Sequence, residues 1–268
     1  SMNYVEYGWF VDNVRIVAGY DTDADIQASY FRSGVGLTTD LGLEYYMIPT
    51  SQVTPINFSA KVINQGALTH TGLKLTTTVD GPNAFSASSV TVDLVSEGED
   101  SLALTDTYTP TTIGDYEVTF KFSGDTPEEY INNDSMITNF EVTEYTYARD
   151  NGNETGSISN VSDNDGLSMS IGNVMNIFAN ASIGALDIKI SDDNGNTDKV
   201  MFGAIYKLNA AGDGYDWLAQ SNDYTILNSD VDKFVSEWVD RCRSMGISIV
   251  DSSSGSMGVK SSLEVFKN

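Results

Sequence analysis

The chain has one histidine and one cysteine, so any imidazole or thiol chemistry must pass through His70 or Cys242. A Ser-His-acid triad would have to be built on His70, and no G-x-S-x-G turn accompanies it. No H-E-x-x-H string and no Cys/His cluster is present, which removes the zinc hydrolases. There is no phosphate-cradling glycine loop. His70 stands between Thr69 and Thr71 beside a turn, and this setting predicts an exposed loop residue. Cys242 is expected to be a small buried residue, and alone it permits no intrachain disulfide. A glycosidase needs only two carboxylates. With 38 Asp and Glu against 14 Lys and Arg, composition singles out no such pair.

The formal charge of −24 bears on partners. Such a surface repels nucleic acid and anionic membranes and attracts divalent cations. The acidic stretches 163–166 (DNDG) and 192–198 (DDNGNTD) make Asp163, Asp165, Asp192, Asp193 and Asp198 the calcium candidates, through carboxylate and carbonyl oxygens. Plain turn duty is the simpler reading of both. Calcium, as the one candidate cofactor, is expected to raise thermal stability. Asp21-Thr22-Asp23-Ala24-Asp25 superficially matches a calcium loop, but an EF-hand needs Gly at the sixth place and Glu at the twelfth. Here those places hold Ile26 and Arg32, so the stretch reads as a solvated interdomain turn. Trp9, Trp217 and Trp238 could stack on sugar rings; their scatter favours packing.

The elements that must position these residues are strands. Ile56, Phe58, Ala60 and Val62 alternate with polar neighbours, a period of two. Asn64-Gln65-Gly66 interrupts, and Leu73, Leu75 and Val79 resume the pattern. Further strands are predicted at 26–30, 41–48 (which Pro49 stops or confines to an edge), 90–94, 115–122 and 136–142. This is the strand count of a sandwich. Downstream, alternation recurs at Leu167–Ile171 and Ile183–Ile190, with a buried strand at Lys199–Leu208 and others at 213–218, 224–226 and 261–266. Val231, Phe234, Val235, Trp238, Val239 and Cys242 instead fall at helical spacing, which predicts a helix over 230–244. The longest apolar stretch, Val200–Tyr206, is strand-sized and far short of a membrane span.

Several strings resemble known families. Gly8 to Ile16 (GWFVDNVRI) resembles the closing strand of MAM-like, choice-of-anchor jelly rolls, which implies that residues 1–19 end a preceding domain. Ser1-Met2 before Asn3-Tyr4 reads as a cloning remnant on a piece of a longer chain. Ile48-Pro49-Thr50-Ser51-Gln52, FSAKVINQG (58–66), GDYEVTFKF (114–122), Asn132-Asn133 and FEVT (140–143) resemble, in order, immunoglobulin-like modules of the CARDB adhesion family. That resemblance implies a non-catalytic spacer or binding module. The stretch 145–228, with YARDNGN, IGNVMNIFA and FGAIYKL, resembles jelly-roll-like modules of type IX-secreted bacterial proteins.

The expectation is an all-β chain of tandem β-sandwiches: an immunoglobulin-like module over 20–144 and a jelly-roll-like module over 145–268, incomplete after 230 if the helix forms. The expected role is a non-catalytic accessory, adhesion or spacer module of a larger secreted or cell-surface protein. A carbohydrate- or calcium-binding sandwich is the alternative. The expected partners are other domains of the parent protein and extracellular polysaccharide or protein, without nucleic acid or membrane insertion.

Overall fold

The computed structural model describes residues 19–34, 36, 41–152, 172–181, 183–190, 197–209 and 211–235, and the backbone of 182, 236–238 and 261–266. Two sheets face each other over 24–148. One holds β1 (Ala24–Arg32), β3 (Asn57–Asn64) and β7 (Glu99–Ala103) in the order β1-β3-β7. The other runs β2 (Met47–Pro49), β9 (Ser135–Thr143), β8 (Gly114–Ser123), β4 (His70–Asp80) and β5 (Phe85–Ser88), with β6 (Val92–Leu94) also on β4. All pairings are antiparallel except β2 with β9. This is an all-β sandwich of immunoglobulin-like arrangement.

Alternation decides the inward faces. Phe58, Ala60 and Val62 of β3 meet Tyr116, Val118, Phe120 and Phe122 of β8 in one buried core. Tyr116 and Phe140 stack with ring centroids 4.9 Å apart. The Tyr116 hydroxyl donates to Thr112 O at 2.7 Å, four residues upstream. A tyrosine near the start of this strand, bonded to backbone just upstream, is the corner that pins the loop in such sandwiches. In β1 the register slips between Ile26 and Ala28, so the inward residues are Ile26 and then Phe31 rather than a strict alternation.

The second sheet does not stop at β2. β10 (Thr146–Ala148) pairs β2 at Met47, and the ladder continues through β17 (Ser261–Phe266) to β11 (Ser182–Lys189) and β16 (Phe234–Trp238). Because β10 reaches only Met47, Pro49 has a ladder partner on one side alone, which accommodates its missing N–H. Two short ribbons complete the described residues: β12 (Val200–Met201) with β15 (Tyr224–Thr225), and β13 (Ala204–Leu208) with β14 (Tyr215–Gln220).

The coil that precedes β11 is held by side chains from 45–149. Gln52 is fully buried: its Oε1 accepts from Phe178 N (2.8 Å) and Ala179 N (3.2 Å), and its Nε2 donates to Ala179 O (3.1 Å). Tyr45 Oη accepts from Asn176 N at 2.7 Å and Tyr147 Oη donates to Asn176 O at 2.9 Å. The two tyrosine rings stack at 4.7 Å. Burial, with Tyr45 alongside, pushes the Tyr147 phenol upward, so it stays a donor. Side chains thus supply the backbone partners that a strand would otherwise provide.

Two expectations are corrected here. Residues 234–238 form a strand antiparallel to β11, entered through a turn in which Lys233 N donates to Asp230 O. The helical spacing loses because Phe, Val and Trp suit a pleated surface, and the free edge of β11 offers a full ladder. Residues 239–244 lie outside the described ones. The stretch Lys199–Leu208 is two strands, not one buried strand, broken at Phe202-Gly203, and Val200 and Phe202 are exposed.

Candidate functional site

His70 opens β4, and its ring has no exposed surface. Period two would pair its face with Gly72, yet Leu73 is the next buried residue. The pairing of β4 with β6 slips between His70 and Leu73, and Gly72 takes φ +62° there. Gly72 thus absorbs the extra residue of a bulge, in a conformation that disfavours side chains. The exposed-loop expectation for His70 is therefore wrong. Two polar flanking residues hid an inward position.

The loop 124–134 between β8 and β9 closes over this imidazole. His70 Nε2 lies 2.5 Å from Glu128 Oε1, whose side chain is only 6% exposed. An ionised carboxylate only accepts, so in this contact an imidazole N–H on Nε2 is the donor whenever Glu128 carries its charge. Glu128 Oε2 accepts from Ala24 N at 2.9 Å, and Glu129 Oε2 accepts from Asp21 N at 2.7 Å. Thr22 Oγ1 donates to Pro127 O at 2.9 Å, and Asn133 Nδ2 donates to Asp23 Oδ1 at 2.9 Å. The Asp21–Asp25 stretch is therefore no solvated turn. Thr22 and Asp23 are buried beneath this loop.

Three atoms in the cluster are buried without a partner: His70 Nδ1, Asn133 Oδ1 and Asp134 Oδ1. Asp134 is raised from 3.8 to about 6. Burial is the main cause, and the Glu128 and Asp23 carboxylates add to it, while Lys121 and His70 oppose it. The arrangement is an acid-rich latch tying the β8–β9 loop to the start of β1. Among the described residues, no serine hydroxyl meets His70 Nδ1. Proton exchange with a substrate would require this loop to lift.

Gly124 sits against the imidazole. A Cβ there would fall on His70 Cε1 and Nδ1 and within 2.9 Å of Thr71 O. Gly124→Ala is expected to destabilise the fold by about 1–3 kcal/mol through overpacking. A denaturant titration checks it; an unchanged midpoint would mean that the ring swings clear.

Of the calcium candidates, Asp163, Asp165, Asp192 and Asp193 lie outside the described residues. Asp198 is exposed in a turn at φ +63°, with its N–H on Ile226 O at 2.9 Å. Among the described residues, no three of His, Cys, Asp and Glu gather as a metal group. Cys242 and Trp9 fall outside the described residues, whereas Trp217 is exposed on β14. Sequence reasoning missed Glu128 and Asp134. The available signal was the acid density of the loop, with Asp125, Glu128, Glu129 and Asp134 inside eleven residues of a chain that has one histidine to pair with them.

No family model matches this chain, and no curated protein matches it. Among solved structures it is similar to the crystal structure of the CARDB domain of a Pyrococcus furiosus protein in complex with di-metal ions. Identity is 15%, the TM-score is 0.34, and the match covers 47% of this chain and 97% of that one. A solution structure of the CARDB domain from the same organism matches at 17% identity and TM-score 0.31, covering 46% of this chain and 95% of that one.

Proposed function

We propose that this chain is a non-catalytic accessory module of a larger secreted or cell-surface protein, acting as a stiff spacer between other domains. The observation that carries this reading is the unbroken ladder from β9 through β2 and β10 to β17 and β11. The Gln52, Tyr45 and Tyr147 hydrogen bonds to 176–179 reinforce it. A flexible linker would let the two parts swing. A shared sheet with buried side-chain bridges resists bending, as a spacer requires. The burial of the only imidazole under a latched loop also argues against acid–base catalysis at His70.

Small-angle scattering tests the reading. The chain is expected to fit one rigid conformer. Gln52→Ala, which removes three hydrogen bonds at about 0.5–1.5 kcal/mol each, is expected to broaden that distribution and to speed amide exchange over 174–181. Scattering that needs several interdomain arrangements for the unaltered chain would overturn the spacer reading. So would turnover of a glycoside or ester substrate by the unaltered chain.

A further inference from the structure

The β13–β14 hairpin carries an aromatic face that the core does not use. Ile205 and Ala219 are opposite each other and buried, which anchors the base of the hairpin. Beyond them the register slips, Tyr206 pairs with Trp217, and Leu208 pairs with Tyr215. Directly opposed residues share a face, and residues two apart on one strand share it too. Tyr206, Leu208, Tyr215 and Trp217 therefore line the side turned away from Ile205. Trp217 is 48% exposed and Tyr215 44% exposed.

The hairpin is preformed. Its turn is closed by Asn209 N to Gly214 O at 2.9 Å and by Asn209 Nδ2 to Asp213 Oδ1 at 2.9 Å. Its base is tied by Ser221 N to Gly203 O at 2.8 Å and by Gly203 N to Ser221 Oγ at 2.9 Å. A rigid platform loses little entropy when something lies on it.

We infer that this face binds a neutral oligosaccharide or polysaccharide, whose rings stack on Trp217 and Tyr215 while hydroxyls meet the polar groups of the turn. Three observations select that occupant. The rings are flat, amphipathic and half-exposed, so one ligand face can be apolar and its edge wet. Asp213 and Asp216 flank the aromatic residues on a chain of charge −24, which disfavours phosphate, sulfate or uronate ligands. Two half-exposed rings offer roughly 200 Å², far below the roughly 800 Å² per partner of a stable protein interface. The area suits two or three sugar rings rather than a folded protein.

Affinity electrophoresis and titration calorimetry on the full chain test the inference, with soluble xyloglucan, mixed-linkage β-glucan, galactomannan and arabinoxylan as neutral probes and alginate as the anionic one. At least one neutral probe is expected to retard the chain, and alginate is not. Trp217→Ala and Tyr215→Ala are each expected to weaken that binding by about tenfold or more. Both residues are exposed, so the melting temperature should stay put. Absence of retardation by every neutral probe overturns the inference. So does binding that neither variant weakens, or self-association in sedimentation velocity that Trp217→Ala abolishes. The outcome is independent of the spacer reading: a flexible chain in scattering would leave the sugar platform intact.

Discussion

His70→Ala is expected to cost the fold about 3–5 kcal/mol, the usual penalty for leaving a buried acidic side chain without its partner. The deleted imidazole is the group that faces Glu128 Oε1, and the pair is 0% and 6% exposed. Without it Glu128 keeps only the Ala24 N–H, while Asp134 and Asp23 remain close enough to act on one another. A stranded carboxylate among carboxylates must protonate or escape to water. Escape would lift the 124–134 loop from the first residues of β1. Two measurements separate this from a simple cavity. In urea unfolding, the double variant His70→Ala with Glu128→Gln should recover part of the loss, because the unpaired charge is gone. In hydrogen exchange, Asp21 and Ala24 amides, both held by this loop, should lose protection before those of β3 and β8. A single-variant loss below about 1 kcal/mol, the range of exposed pairs, would show that the latch contributes nothing beyond surface contact.

Where one face is buried and one wet, the strands were legible in the sequence. The alternation at 56–62 and 115–122 became β3 and β8, whose inward residues form the centre of the core. Short polar strands were not: β7 reads Glu-Asp-Ser-Leu-Ala and buries only Leu102, so it has no period to detect. Its place is set by the edge of β3. The 230–244 segment failed for the opposite reason. Its local period was clear, but over 234–238 the open edge of β11 decided the outcome. The aromatic hairpin was half legible. Trp217 and Tyr215 were visible as residues, whereas their shared face depends on a register slip beside Tyr206 that only pairing determines. The latch was least legible. It joins Ala24, His70 and Glu128, residues separated by 58 and 104 positions along the chain. The Asp21–Asp25 stretch and His70 read as turn or loop material, and nothing in the sequence singles out Glu128. What brings them together is a glycine-permitted bulge in β4 and the tight approach of Gly124.

Asp134→Asn is expected to stabilise the chain at neutral pH and to do nothing near pH 4. Asp134 is buried, has an unpartnered Oδ1, and rises from 3.8 to about 6. The sign follows from proton counting. Between about 4 and 6 the folded state holds a proton on Asp134 that the unfolded chain has released, so stability falls as pH rises through that window. Above it the folded protein carries a buried carboxylate beside Glu128 and Asp23, only partly offset by Lys121 and His70. A gap of that width is worth at most about 3 kcal/mol. Asparagine keeps the shape, removes the charge, and adds N–H donors among acceptor oxygens. Other carboxylates titrate in the same range, so the informative quantity is the difference between variant and parent melting temperatures. That difference should be near zero at pH 4, grow through pH 5–6, and level off by pH 7. Parallel curves from pH 4 to 8 would mean that Asp134 ionises as freely in the folded chain as in the unfolded one. The latch would then be held by His70 and Glu128 without opposition from its acidic neighbour.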